Sequence, residues 1–176
     1  MERPIPEKDL EGILKAGMYA PSAVDLQPWY FVVIKSKEQM ARLSHIMSRV
    51  SDKMRPALEE RFANHPEVAM ESTLFLRQLG GAPVCILVFQ YRPDYQKTME
   101  TIVQSVAAAI ENILLAATDR GLGSCWLTAP VETGMSEELR DTFAPDKGKL
   151  LAIVTLGYSD QTPKTPARKA GRYTII

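Results

Sequence analysis

The 176-residue chain predicts an α+β fold, with a mixed central sheet, helices packed on both of its faces and one long buried helix. Three observations carry this expectation. Apolar residues recur at steps of three and four over several long segments. Short β-branched and aromatic runs stand between those segments. The two kinds of segment alternate without the regular βα rhythm of a doubly wound sheet.

The elements follow in order. Leu10, Ile13, Leu14, Gly17 and Met18 mark an amphipathic helix over 7–19, which Pro21 stops. The run from Tyr30 to Ile34 reads as a buried strand. Met40, Leu43, Ile46, Met47 and Val50 predict a helix from Glu38 to Val50, and Pro56 opens a second helix reaching Phe62. Over 64–80, the spacing of Val68, Leu74, Phe75, Leu76 and Leu79 suggests helical packing of a mobile insert. Tyr91 to Gln96 is expected to be a loop before the long helix 97–119. Ile102, Val103, Val106, Ala107, Ile110, Ile113, Leu114 and Ala117 wrap around that helix, which is therefore buried from several directions, a second subunit among them. Gly121 ends it, because glycine adopts positive φ at little cost. Strand Cys125–Leu127, helix Ser136–Phe143 and strand Leu150–Gly157 complete the chain, with Ser136, Glu137 and Glu138 favouring the helix start.

The length fits one domain, 1–176, with 45% hydrophobic and 24% charged residues, the composition of a globular protein. Lys plus Arg and Asp plus Glu both number 21, so the basic excess of a nucleic-acid footprint is missing. Nothing at the amino terminus resembles a signal peptide, and Gln104, Ser105, Glu111 and Asn112 interrupt the most apolar stretch, 102–117. The expectation is a soluble cytoplasmic protein with no membrane partner. Cys85 and Cys125 have neither metal-ligand spacing nor a disulfide framework and read as buried thiols.

Elimination narrows the chemistry. Nucleophilic hydrolysis needs a base beside its Ser or Cys, and the chain's two histidines, His45 and His65, sit in polar helical surroundings with no partner spacing. Glu59 and Glu60 are adjacent on a helix, point apart and read as a solvated face. No Walker loop is present, and Gly121-Leu122-Gly123 lacks the third glycine and preceding strand of a dinucleotide fingerprint. What remains is the stretch from Ala20 to Trp29. Two prolines stiffen it, and Ser22, Asp25 and Gln27 are offered in a small space between a helix and a strand. It reads either as an ordinary helix-to-strand connection or as a clamp for a flat, hydrogen-bonding ligand. A clamp without acid–base machinery points to chemistry carried by a cofactor.

The whole string Ala20-Pro21-Ser22-Ala23-Val24-Asp25-Leu26-Gln27-Pro28-Trp29 closely resembles the FMN-contacting segment of the nitroreductase-like flavoprotein family, which usually has Asn in place of Asp25. Further resemblance follows in order. Gly81–Phe89 is similar to the family's central strand, and Ser105–Ala117 to its long helix. Gly121-Leu122-Gly123-Ser124-Cys125-Trp126 is similar to its second flavin-contacting turn, and Leu151–Tyr158 with Arg168 to its closing strand and phosphate-binding tail. The likeness covers roughly 4–172, while the family's amino-terminal Arg-rich phosphate-binding segment has no counterpart here.

The resemblance implies an FMN-dependent oxidoreductase with NAD(P)H as electron donor, reducing small acceptors such as nitroaromatics or quinones by ping-pong hydride transfer. It implies a homodimer in which the loop of Pro21, Ser22, Ala23, Asp25 and Gln27 reaches the flavin from the neighbouring subunit. Leu122, Gly123 and Ser124 would bring backbone donors to the ring, and Arg168 would grip the phosphate. A non-catalytic or weakly flavin-binding protein of the same fold is the alternative. A specialised flavin enzyme such as a reductive dehalogenase is a third reading.

Overall fold

A computed structural model describes residues 3–92, 94, 97–162 and 164–176. Its elements run α1 (Glu7–Met18), β1 (Trp29–Ile34), α2 (Lys37–Arg61), α3 (Pro66–Gln78), β2 (Val84–Gln90), α4 (Met99–Asp119), β3 (Gly123–Leu127), α5 (Ala129–Glu132), α6 (Ser136–Phe143) and β4 (Leu150–Gly157). Short 3-10 turns at Ala23–Asp25 and Leu79–Gly81 lead into β1 and β2.

The strands pair in the order β1-β2-β4-β3. The α+β class is as expected, but the three described pairings are all antiparallel, so the sheet is not mixed. The physical reason lies in the connection. A helix between two strands suggests a parallel crossover, and β2-α4-β3 is one, yet β4 inserts between β2 and β3 and pairs antiparallel with both.

β2 is buried along its whole length because both faces of the sheet are covered. With a side-chain period of two, Val84, Ile86 and Val88 face α1 and α4 and join Leu10, Ile13, Ile102, Val106, Ile110 and Ile113. Cys85, Leu87 and Phe89 face the other side and join Leu43, Ile46, Met47, Val50, Leu76 and Leu139 from α2, α3 and α6. Each fully buried aliphatic or Phe side chain stabilises by about 1.5–3 kcal/mol relative to exposure.

Several boundaries differ from expectation. α2 is one continuous helix through Pro56 rather than two. A proline inside a helix costs about 3 kcal/mol, which the packing of α3 along α2 offsets. The stretch expected as a helical insert is α3, with Pro66 in its first turn. β3 begins at Gly123, two residues before the expected start, and α5, too short for periodicity to reveal, was not expected. The expected loop Tyr91–Gln96 includes Pro93, Tyr95 and Gln96, which lie outside the described residues. Ser136 is the first residue of α6, and its hydroxyl is buried without a hydrogen-bond partner among the described residues, so it does not cap. α4 has the length and apolarity of a membrane span, but Ile102, Val106, Ala109, Ile110, Ile113 and Ala117 sit in the core.

α1 seats against α4 through a glycine. A Cβ at Gly17 would come within 2.8 Å of Ile113 Cγ1 and 3.3 Å of the Ala109 carbonyl oxygen. Gly17→Val is expected to cost about 1–3 kcal/mol, read as a lowered urea midpoint. Burial pushes the Cys85 thiol up to about 12, whereas an unfolded thiol titrates near 8.5. The stability linked to this proton is whole below about pH 8.5 and declines as pH rises from there toward 12. Cys85→Ala should therefore show a shallower alkaline decline of the unfolding midpoint than the parent, and parallel curves would contradict the assignment.

Candidate functional site

The loop between α1 and β1 is held in an unusual backbone conformation. Val24, Asp25 and Gln27 have φ of 48°, 55° and 45°, in the left-handed region. Residues other than glycine reach it rarely, and a β-branched residue is a true outlier there; such residues cost roughly 1–3 kcal/mol each. Specific anchors hold them. The Ala23 amide donates to Ser105 Oγ on α4 (3.2 Å), and Ser105 Oγ donates to the Thr101 carbonyl (3.0 Å). The Gln27 amide donates to Ser22 Oγ (2.9 Å), and Gln27 Nε2 donates to Asp25 Oδ1 (2.8 Å). The loop residues singled out from sequence are thus brought together, with Pro21, Asp25 and Gln27 exposed and Ser22 and Ala23 half-buried. Val24, which sequence did not single out, is 78% exposed beside them. Trp29 is buried in the core, whereas Trp126 is exposed.

The second segment is built by the end of α4. The Leu122 amide donates to the Ala117 carbonyl and the Gly121 amide to that of Thr118, both at 2.9 Å, with Gly121 at φ 68°. This is the Schellman arrangement, and its positive φ is the one expected of Gly121. Leu122 is buried beneath it. Gly123 and Ser124 lie in β3 rather than in a free turn, opposite Gly157 and Leu156 of β4. β3 is an edge strand, so its outer side presents backbone groups that the sheet does not use. A Cβ at Gly123 would lie 3.1 Å from Ser159 Cβ, so glycine permits this close approach. Cys125, next along the strand, is half-buried, and burial raises its thiol pKa.

Two cations differ in placement. Arg168 lies in the exposed segment after β4, where its Nη1 donates to the Pro166 carbonyl at 3.3 Å. Arg3, which sequence did not single out, stacks its guanidinium 4.0 Å over the ring of Tyr158. Tyr158 follows Gly157, the register partner of Gly123. Arg3 has no carboxylate in salt-bridge range among the described residues.

Within one chain, loop and edge strand stand at opposite ends of the sheet. In register, Trp29 is opposite Gln90, while Gly123 is opposite Gly157 beside Leu156 and its partner Val84. From Val84 to Gln90 is about 20 Å of strand. Along α4, about 21 Å of helix separates Ser105 from Asp119.

The described residues hold no cluster of three or more His, Cys, Asp or Glu suited to a metal. His45 and His65 are exposed, the latter 3.3 Å from Glu67 Oε1. A groove of about 610 Å³ between α2 and α3, lined by Phe62, Met70, Leu74, Arg55 and Arg77, involves neither the loop nor the edge strand.

The nitroreductase family model matches residues 1–158. A curated relative from Archaeoglobus fulgidus, provisionally named an NADH dehydrogenase/NAD(P)H nitroreductase, is 31% identical over 158 residues, 89% of this chain and 76% of its own. An iodotyrosine deiodinase of Thermotoga neapolitana is 30% identical over 169 residues, 94% of this chain and 84% of its own. Among solved structures, a nitroreductase with bound FMN from Bacteroides fragilis is 27% identical with a TM-score of 0.69, over 99% of this chain and 89% of that one. With this match along nine-tenths of its length and these relatives, the chain belongs to the nitroreductase family.

Proposed function

We propose that the chain, as a single domain 1–176, is an FMN-dependent oxidoreductase that takes hydride from NAD(P)H and delivers it to small acceptors such as nitroaromatics or quinones, in two half-reactions. The observation that carries the reading is the strained loop of Ser22, Asp25 and Gln27, whose anchor Ser105 lies on the helix that also ends at Gly121. FMN, when bound, supplies the redox chemistry. The residues present fit it. Exposed Asp25 and Gln27 are ready to bond a polar ring edge, and the unused side of β3 at Gly123–Ser124 offers backbone groups with no side chain in the way at Gly123. Arg168 and the stacked guanidinium of Arg3 would hold the phosphate.

The separation of about 20 Å between the two segments exceeds the length of a flavin ring system. One chain therefore cannot present both to one ring, and the reading requires a homodimer in which the loop of one protomer meets β3 of its partner. Exposed Val24, Val103 and Leu115 supply apolar surface along α4 and the loop for such a contact. The same reading expects a cytoplasmic enzyme whose acceptor, not its protein, changes from one relative to another. A second reading, reductive dehalogenation, is favoured by the deiodinase relative; turnover of halogenated phenols in preference to nitroaromatics would select it.

Visible absorption after mixing with FMN and desalting should show about one flavin per subunit, and a colourless protein would overturn the reading in favour of a non-catalytic member of the fold. Asp25→Asn keeps an oxygen acceptor for Gln27 and adds a donor, so FMN affinity should hold or rise in a fluorescence titration. Arg168→Ala should weaken FMN roughly tenfold or more, the worth of a charge-assisted bond, and leave riboflavin, which lacks the phosphate, unaffected. Equal losses for the two flavins would remove Arg168 from the phosphate.

A further inference from the structure

The corner that carries the loop is pinned by a cation outside the site described above. The Tyr91 amide donates to the Pro28 carbonyl at 2.8 Å, directly after Gln27. Lys147, in the turn before β4, places its Nζ 4.5 Å from the ring centroid of Tyr30 and 5.0 Å from that of Tyr91. The two rings are stacked with centroids 6.3 Å apart, and Asp146 Oδ2 lies 2.9 Å from the ammonium. The turn itself is docked on β2, since the Gly148 amide donates to the Gln90 carbonyl and the Gln90 amide to that of Lys149, both at 2.9 Å. A Cβ at Gly148 would lie 2.8 Å from Gln90 Cβ, so the turn cannot sit this close with a larger residue. β1 is an edge strand and has no strand on its outer side among the described residues. Its first residues therefore depend on this corner to resist the strain of Val24, Asp25 and Gln27.

We propose that Lys147 is a positioning residue for the ligand loop: its ammonium, shared by the rings of Tyr30 and Tyr91, locks the Pro28 corner and so keeps Val24, Asp25 and Gln27 in their left-handed conformation. A cation on an aromatic face is favourable, and more so when partly desolvated as here. A solvated pair with Asp146 alone would contribute almost nothing. Two electron-rich rings converging on one ammonium tie three separate segments, β1, the end of β2 and the turn before β4, at a single point.

The test uses Lys147→Met and Lys147→Arg in the full chain, read in two ways. Amide hydrogen exchange of residues 23–27 in the ligand-free protein should quicken roughly three- to thirtyfold in Lys147→Met, the range of a cation–π contact. It should return toward the parent rate in Lys147→Arg, while amides of central α4 stay unchanged in both. This readout is independent of the flavin reading. The second readout rests on that reading: FMN and riboflavin should weaken together in Lys147→Met, because the loop and not a phosphate contact is disturbed. Exchange at 23–27 within twofold of the parent in Lys147→Met, or no recovery in Lys147→Arg, would overturn the proposal. Loop exchange that follows the pattern in a parent protein holding no flavin would leave Lys147 in its role and sink the flavin reading instead.

Discussion

Burial of α4 against the inner strands is the constraint from which the rest of the architecture follows. The helix must leave β2, cross the sheet and return as β3 on the far side of β4, and its apolar flank can be satisfied only if α1 closes over it. Gly17 permits that closure, and Asn112 Nδ2 fixes it by donating to the Ala16 carbonyl at 3.1 Å. An amide side chain in the middle of an apolar helix therefore sets where α1 ends. The loop begins at Ala20, two residues after that end. Its other anchor, Ser105, is on the same helix, so one rigid rod sets both the start of the loop and the place of Gly121.

The loop itself is stiff for a reason that composition alone does not disclose. Glycine would have made the left-handed positions at 24, 25 and 27 inexpensive, yet also mobile. Val, Asp and Gln at these positions store strain that the Ser22, Ser105 and Tyr91 hydrogen bonds offset, and the outcome is a single well-defined arrangement of exposed polar groups. Preorganisation of this kind lowers the ordering cost of holding a ligand. That cost is met when the chain folds and not when the ligand arrives.

What the sequence discloses divides along physical lines. α1, α6 and β4 were legible to within a residue or two, because their periodicity and their stop signals agree, as with Pro21 and Gly157. The alternation of β2 between two cores is written as an unbroken apolar run, which reveals burial and hides which residue faces which side. Pairing direction was not legible, since it depends on the late insertion of β4 between β2 and β3. Pro56 misled because its cost in α2 is met by packing against α3, a tertiary contact that the local helix-opening signal does not disclose. The loop residues of the candidate site were singled out through their unusual string, but their left-handed conformation was not foreseen. Arg3 and Lys147 were missed for a common reason: a cation stacked on a tyrosine distant in sequence leaves no local pattern.

The separation of the two candidate segments has a consequence for symmetry. Two copies related by a two-fold axis place the same patch against itself. If α4 of each lies across the axis, the helices run antiparallel, and the amino-terminal turns of one come beside the carboxy-terminal turns of the other. The Ser105 end, with its loop, then approaches the Gly121–Ser124 end of the partner, which is the juxtaposition that the proposed function calls for. The exposed residues of α4 suit this use. Val103 and Leu115 stand near opposite ends of the helix, with Gln104 and Glu111 between them. An apolar contact near each end with polar groups at the centre is satisfied when the helices run antiparallel, Val103 of one facing Leu115 of the other. On the proposed function, the length of α4 is the dimension that matches one protomer's loop to the other's edge strand, and shortening it by a turn would misalign both sites at once.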